Sequence, residues 1–253
     1  MSLDLSPPPD LSAPNPPEDR VFLTRSRAAT EVVLCSGYPT QLALLPVLAA
    51  LGVQPITGGT LNPVFVFAVS AIDTMLLLGL VFLFLRHSNE RPRDVFLGER
   101  AVVGELGMGL LAMPAIFALV IAVQLTIRSL APYLHNVPVN PFESLMGSPL
   151  QMAGFLVLVV IAGGVREEIQ RAFLLHRFEQ RLGGGTVGLV VTSLAFGLGH
   201  TLQGWDAAIV TGLLGAFWGW MFLVRRSAVA NITSHACFNI LQVLAGLSST
   251  VRT

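Results

Sequence analysis

Seven polar side chains set in apolar surroundings could do chemistry here: Arg166, Glu167, Glu168 and Arg171, then His200, then His235 with Asn239. The first four lie in FLVLVVIAGGVREEIQRAFLLHRFEQR, where apolar Phe173, Leu174, Leu175 and Phe178 carry a helix on past the charges. Two adjacent carboxylates in such a helix suit general-base work. Glu167 and Arg171 are four apart and share a face, while Glu168 points about 100° away. His200 ends the run TVGLVVTSLAFGLGH, with Phe196 one turn before it. His235 and Asn239, in NITSHACFNIL, are four apart and project from one face of an apolar helix. Each group also has a structural reading: ion pairs at a helix end, a histidine at an interface, and polar glue between helices.

A water-soluble globule does not position these groups. Hydrophobic residues make up 53% of the 253 and charged residues 12%, with a mean hydropathy of +0.70. A soluble domain carries about 25% charged residues. The formal net charge is zero and no basic patch stands out, which argues against nucleic-acid binding. Cys35 and Cys237 lie far apart in apolar segments and suggest neither a disulfide framework nor a metal cluster. All 15 basic residues are Arg, which points to a GC-rich, bacterial genome. Residues 1–30 hold Pro7, Pro8, Pro9, Pro14, Pro16 and Pro17 among polar residues and read as a disordered cytoplasmic tail. With no apolar core, this tail is not a signal peptide.

The positioning elements are long apolar runs, about 20 residues being needed to cross a bilayer. Seven candidates follow: 32–53, 62–85, 104–127, 150–178, 186–201, 206–224 and 228–248. The first is interrupted by Ser36, Tyr38, Pro39 and Gln41, and the fifth is short. The expected fold is an all-α polytopic membrane bundle over 31–253, with about seven spans and a polar cavity within the last four. Arginines alternate with the runs. Arg20, Arg25 and Arg27 precede the first, and Arg86, Arg91, Arg93 and Arg100 follow the second. Only Arg128 follows the third, then Arg177 and Arg181 follow the fourth, and Arg225 and Arg226 the sixth. The positive-inside rule then places the N-terminus in the cytoplasm, in what is expected to be a bacterial inner membrane.

Depth ties the polar groups together. Glu167 lies 16 residues before Gly183 and His200 lies 15 after Gly185. At about 1.5 Å per residue both sit about 20 Å from the Gly183–Gly185 turn. His235 lies nine residues after Arg226, also inside the bilayer. Ionisable groups at that depth mark a functional site.

Together these residues resemble the CPBP, or Abi, family, which includes the type II CAAX prenyl endopeptidases and bacteriocin-processing or immunity-related membrane proteins. That family carries Glu-Glu-x-x-x-Arg, Phe-x-x-x-His and His-x-x-x-Asn in order. Here the second motif is Phe196-Gly-Leu-Gly-His200 and the third is His235-Ala-Cys-Phe-Asn239. The resemblance covers about 150–245. The first motif departs: in Arg166-Glu167-Glu168-Ile169-Gln170-Arg171 the Arg comes one residue early. Aligning the carboxylates makes Glu167 the family's first Glu. Aligning Arg171 makes Glu167 the second, with Arg166 in place of the first. The first alignment is preferred because it keeps a base where one is required. The resemblance then implies catalytic roles for four residues: Glu167 as the base that deprotonates water, His200 holding that water, and His235 and Asn239 donating to the oxyanion. Glu168 and Arg171 would support them. No cofactor or metal is implied. The implied partners are membrane lipid and a protein or peptide substrate, with lipid-modified and membrane-embedded segments both in scope.

Three other functions compete. Two His and a Glu could hold zinc as a membrane metalloprotease does, although His-Glu-x-x-His is missing. A catalytically silent immunity or regulatory protein would use the same groups to bind a partner, and Arg166 beside Glu167, weakening it as a base, favours that. Asp73, in the second run, is the one feature that speaks for a transporter, and it could equally pair with a core arginine.

Overall fold

The computed structural model describes residues 23–250, with side chains to Ala245. Of the tail expected over 1–30, residues 1–22 lie outside the described residues. The helix α1 (Arg25–Leu34) already begins at Arg25, because the Thr24 hydroxyl caps it by accepting from the Arg27 N–H.

The first apolar run is two helices, α1 and α2 (Tyr38–Ala50), bent by 44°. The bend sits at Gly37, whose φ of +87° a side chain would resist, and Pro39 starts the new helix. A hairpin of β1 (Ile56–Thr57) and β2 (Thr60–Leu61) pairs Ile56 with Leu61 and Thr57 with Thr60. Then come α3 (Pro63–His87), the short α4 (Pro92–Phe96), α5 (Val102–Leu111) and α6 (Met113–Leu130). Two 3-10 turns, Pro132–Leu134 and Pro141–Met146, lead into α7 (Pro149–Leu158). A π-helical segment, Val159–Arg166, joins α7 to α8 (Glu167–Arg181). The chain ends with α9 (Gly185–Leu198), α10 (Trp205–Arg225) and α11 (Val229–Thr250).

Each of the seven apolar runs is therefore helical, but they are not seven equal spans. Among the described residues four helical stretches are long and apolar enough to cross a membrane: α3, α5 with α6, Pro149–Arg181, and α10. The bent α1–α2 pair makes a fifth if it counts as one span. With 14 residues α9 is about 21 Å long, short of the roughly 30 Å hydrocarbon core. Large apolar side chains such as Val103, Leu111, Leu130 and Leu194 face outward, as they must in an integral membrane protein.

Three apolar clusters hold the bundle. Leu77, Val81 and Leu85 of α3 pack on Phe173 and Leu175 of α8. Ile116 of α6 packs on Leu214, Trp218 and Met221 of α10 and Phe238 of α11. Leu48, Phe65, Leu145, Phe155 and Val243 form the third cluster. At the arginine-rich end the fully buried Arg177 donates from Nε to Glu31 at 2.6 Å, and from Nη1 to Glu90 at 2.6 Å and Gln180 at 2.8 Å. Burial alone would raise the Glu90 carboxyl. Hydrogen bonds from His176, Gln180 and Arg177 outweigh it and bring the pKa down to about 2.

Candidate active site

The site begins with a backbone irregularity. π-helical turns are rare and concentrate where function needs them. Here the segment Val159–Arg166 lies along α11. A Cβ on Gly163 would come within 2.5 Å of Asn239 Nδ2, and one on Gly164 within 2.8 Å of the Ala236 Cβ. Two adjacent glycines therefore let the helices touch, and Asn239 donates to the Val159 carbonyl at 3.2 Å.

The two glutamates that follow have opposite fates. Glu168 is 1% exposed and accepts from every side. Arg171 Nε lies 3.1 and 3.3 Å from its two oxygens, His235 Nδ1 is 2.8 Å from Oε1, and Asn231 Nδ2 is 3.2 Å from Oε2. Spacing four apart pairs Arg171 with Glu167 on one helix face; Arg171 instead takes Glu168, three residues back, because i+3 and i+4 positions are both neighbours on a helix. An Arg one residue early in the motif still reaches the second carboxylate.

Glu167 is half-buried, and its side chain retains 21% exposure. Its nearest ionisable neighbour across the site is His235, with Nε2 3.9 Å from Oε2. Arg166 does not approach it in an ion pair. Its Nη2 pairs with Asp73 of α3, which also accepts from Thr40 and, at 3.2 Å, from Gln41. Asp73 thus has its core arginine, and the feature that spoke for a transporter is absorbed into a buried ion pair.

The histidines are held by their Nδ1 atoms. His235 Nδ1 faces a carboxylate and His200 Nδ1 faces the Phe196 carbonyl at 2.8 Å, and neither partner can donate. Both Nδ1 atoms therefore carry the proton, which leaves both Nε2 atoms for chemistry. His235 stacks on Trp218 with centroids 3.9 Å apart at 16°. His200 meets the edge of Phe196 at 4.7 Å, and the Arg171 guanidinium lies 4.5 Å over the same ring. Phe196 thus connects the second motif to the first.

Glu167, His200, His235 and Asn239 all line one cavity of about 680 Å³. Its wall also holds Arg166, Gln170 and Gln124, with the apolar Leu174, Phe178 and Val191. Among the described residues no three His, Cys, Asp or Glu side chains are grouped to hold a metal ion. Sequence reasoning missed Asn231 and Trp218. Asn231 stands four before His235 and eight before Asn239, a spacing that could have flagged it. Nothing local marks Trp218, which reaches His235 from another helix.

No curated protein and no solved structure matches the chain. The family comparison does find a match, and it falls on the segment that runs from α7 through the third motif on α11: residues 149–241 fit the model described as type II CAAX prenyl endopeptidase Rce1-like, so the motif-bearing part of this chain is similar to that family.

Proposed function

We propose that the protein is an intramembrane endopeptidase that hydrolyses a peptide bond with a water activated by Glu167. The observation that carries this is the asymmetry of the two glutamates: Glu168 is spent on four contacts, while Glu167 faces the cavity with His235 at 3.9 Å. The Rce1-like match supports a protease, and hence a protein or peptide substrate.

In this mechanism His200 Nε2 holds the water. Glu167 takes its proton as the oxygen bonds to the substrate carbonyl carbon, and the carbonyl π electrons move onto oxygen. His235, in its protonated form, donates Nε2–H to that oxyanion while Nδ1–H stays on Glu168. Asn239 has one amide proton on Val159 and offers the other. Preorganised donors in a water-poor site are worth about 2.7–4 kcal/mol each. Glu167 then returns its proton to the leaving amine as the C–N bond breaks. Glu168 and Arg171 keep His235 aimed. The membrane domain is proposed to start with α1 and to carry its motif core over 150–245. It sits in a bacterial inner membrane with the N-terminal segment before α1 in the cytoplasm.

The test is cleavage of a quenched-fluorescence peptide library, including lipid-modified and membrane-spanning members, by protein in nanodiscs. Wild type, Glu167→Gln and His200→Ala are run with and without a chelator. Turnover that survives the chelator and disappears in Glu167→Gln supports the proposal. Turnover lost to the chelator favours the zinc alternative. Wild type that cuts nothing favours a silent partner-binding protein.

A further inference from the structure

Asn231 is 1% exposed on α11 and belongs to none of the three motifs. Its Nδ2 donates to Glu168 Oε2 at 3.2 Å and to the Trp218 carbonyl at 2.6 Å. Its Oδ1 is buried and has no hydrogen-bond partner among the described residues. Such an orphan is costly in a buried site and requires a reason. Turning the amide over does not remove the cost. It would aim Oδ1 at a carboxylate oxygen and a carbonyl oxygen, both of which only accept. Asn231 is therefore kept for its two amide protons, at the expense of its oxygen.

The need for those protons follows from how Arg171 meets Glu168. Arg171 does not present its two-pronged fork. A single Nε–H is shared between both carboxylate oxygens at 3.1 and 3.3 Å, and Nη1 is turned to the Gly215 carbonyl at 3.3 Å. One shared donor on the carboxylate axis does not by itself fix the carboxylate's rotation, which leaves that to His235 on Oε1 and Asn231 on Oε2. Rotation would carry Oε1 away from His235 Nδ1. Asn231, gripping Oε2 from the far side, stops it.

We infer that Asn231 is a positioning residue: by fixing the rotation of Glu168 it holds His235 with Nδ1 protonated and Nε2 directed at Glu167 and the cavity. It reaches the same histidine by a second route, since its other proton binds the carbonyl of Trp218, the residue stacked on His235. Trp218 is tied back to α11 in turn, through its Nε1–H to Ser234 Oγ at 3.0 Å.

The test reads the ring directly. Full-length protein labelled with 15N-histidine is placed in nanodiscs, and the His235 signals are identified by their loss in His235→Gln. Wild type gives a single set for a ring with Nδ1 protonated. Asn231→Ala, and the isosteric Asn231→Asp, which lacks the amide protons, each give shifted or averaged His235 signals while His200 is unchanged. Their unfolding midpoints fall, because Glu168 and the Trp218 carbonyl each lose a buried donor, so the ring signals are read on the folded protein. The accompanying loss in kcat, with KM unchanged, is about 10- to 100-fold, the range for residues that orient a working ligand. That loss rests on the endopeptidase reading; the ring signals do not. If wild type cuts no peptide, the NMR comparison alone decides. Wild-type His235 signals in either folded variant overturn the inference. So does failure of both variants to fold, which would make Asn231 a packing residue.

Discussion

Arg171 and Arg177 stand six residues apart on α8, both buried, each bonded to a carboxylate, and they build different things. Arg177 spreads its donors over Glu31, Glu90 and Gln180, and its guanidinium lies 4.6 Å from the Phe173 ring centre. Both carboxylates there are paired, so the network clamps α1 and the α3–α4 turn onto α8. Arg171 commits one N–H to Glu168, turns a second to a helix carbonyl, and lies over Phe196. Its cluster keeps one carboxylate out of the pairing, and that carboxylate, Glu167, faces the cavity. A buried ion network is thus a clamp when its charges close on one another. It becomes a candidate for chemistry when it fixes every neighbour of one group and leaves that group open.

The contrast is sharpest in substitutions that neutralise one charge. Glu167→Gln is expected to lower kcat by about 10²- to 10⁴-fold, the usual contribution of a general base, without moving the unfolding midpoint in detergent. Unchanged kcat would place the base elsewhere. At the clamp the pattern reverses. Arg177→Ala leaves Glu31, 1% exposed, with Arg27 on one oxygen and nothing in place of Arg177 on the other, and breaking a buried pair costs about 3–5 kcal/mol. Unfolding by heat or denaturant should show that loss, while kcat per folded molecule changes little.

A backbone change separates the regions in a third way. Gly163→Ala would press a methyl group to 2.5 Å from Asn239 Nδ2. Overpacking of this kind costs about 1–3 kcal/mol. Because the displaced group is the proposed oxyanion donor, kcat should fall more than stability alone explains. Gly164→Ala meets only the Ala236 side chain and backbone, so it should cost stability without that extra loss. Equal kcat in the two variants would remove Asn239 from the proposed chemistry.

Much of this was legible in the sequence because a membrane chain makes polar residues conspicuous. Glu167, His200, His235 and Asn239 stand out against Val, Leu and Phe, and all four line one cavity. Helical spacing could not tell the two glutamates apart. Residues three and four before an arginine sit on the same side of a helix, and only the position of α11 decides which one is enclosed. Nor could it anticipate the π-helical segment, which depends on how closely Gly163 and Gly164 let α11 approach. Span counting overreached for α9. Apolar composition there predicts a crossing, although the helix stops at Leu198 and His200 lies just beyond it. Arg166 beside Glu167 argued from sequence for a weakened base, and its partner proved to be Asp73, 93 residues away.

The smallest expected effect tests whether the clamp is electrostatic at all. Glu90 ordinarily titrates near 4.5, and its bonds to His176, Gln180 and Arg177 hold it at about 2 in the folded protein. A carboxyl lowered on folding favours the folded state while it is ionised in both states. Its contribution is therefore complete above pH 4.5, declines as pH falls, and is gone below about 2. Because the Glu90 side chain is 20% exposed, solvent discounts the gain, and a shift of a few degrees in midpoint is the scale to look for. Unfolding midpoints of wild type and Glu90→Gln, measured between pH 2 and 6 in one detergent, should differ most at pH 6 and converge toward pH 2. Parallel curves would mean that Glu90 contributes shape to the clamp and not charge. The contrast between the two arginines would then rest on Glu31 alone.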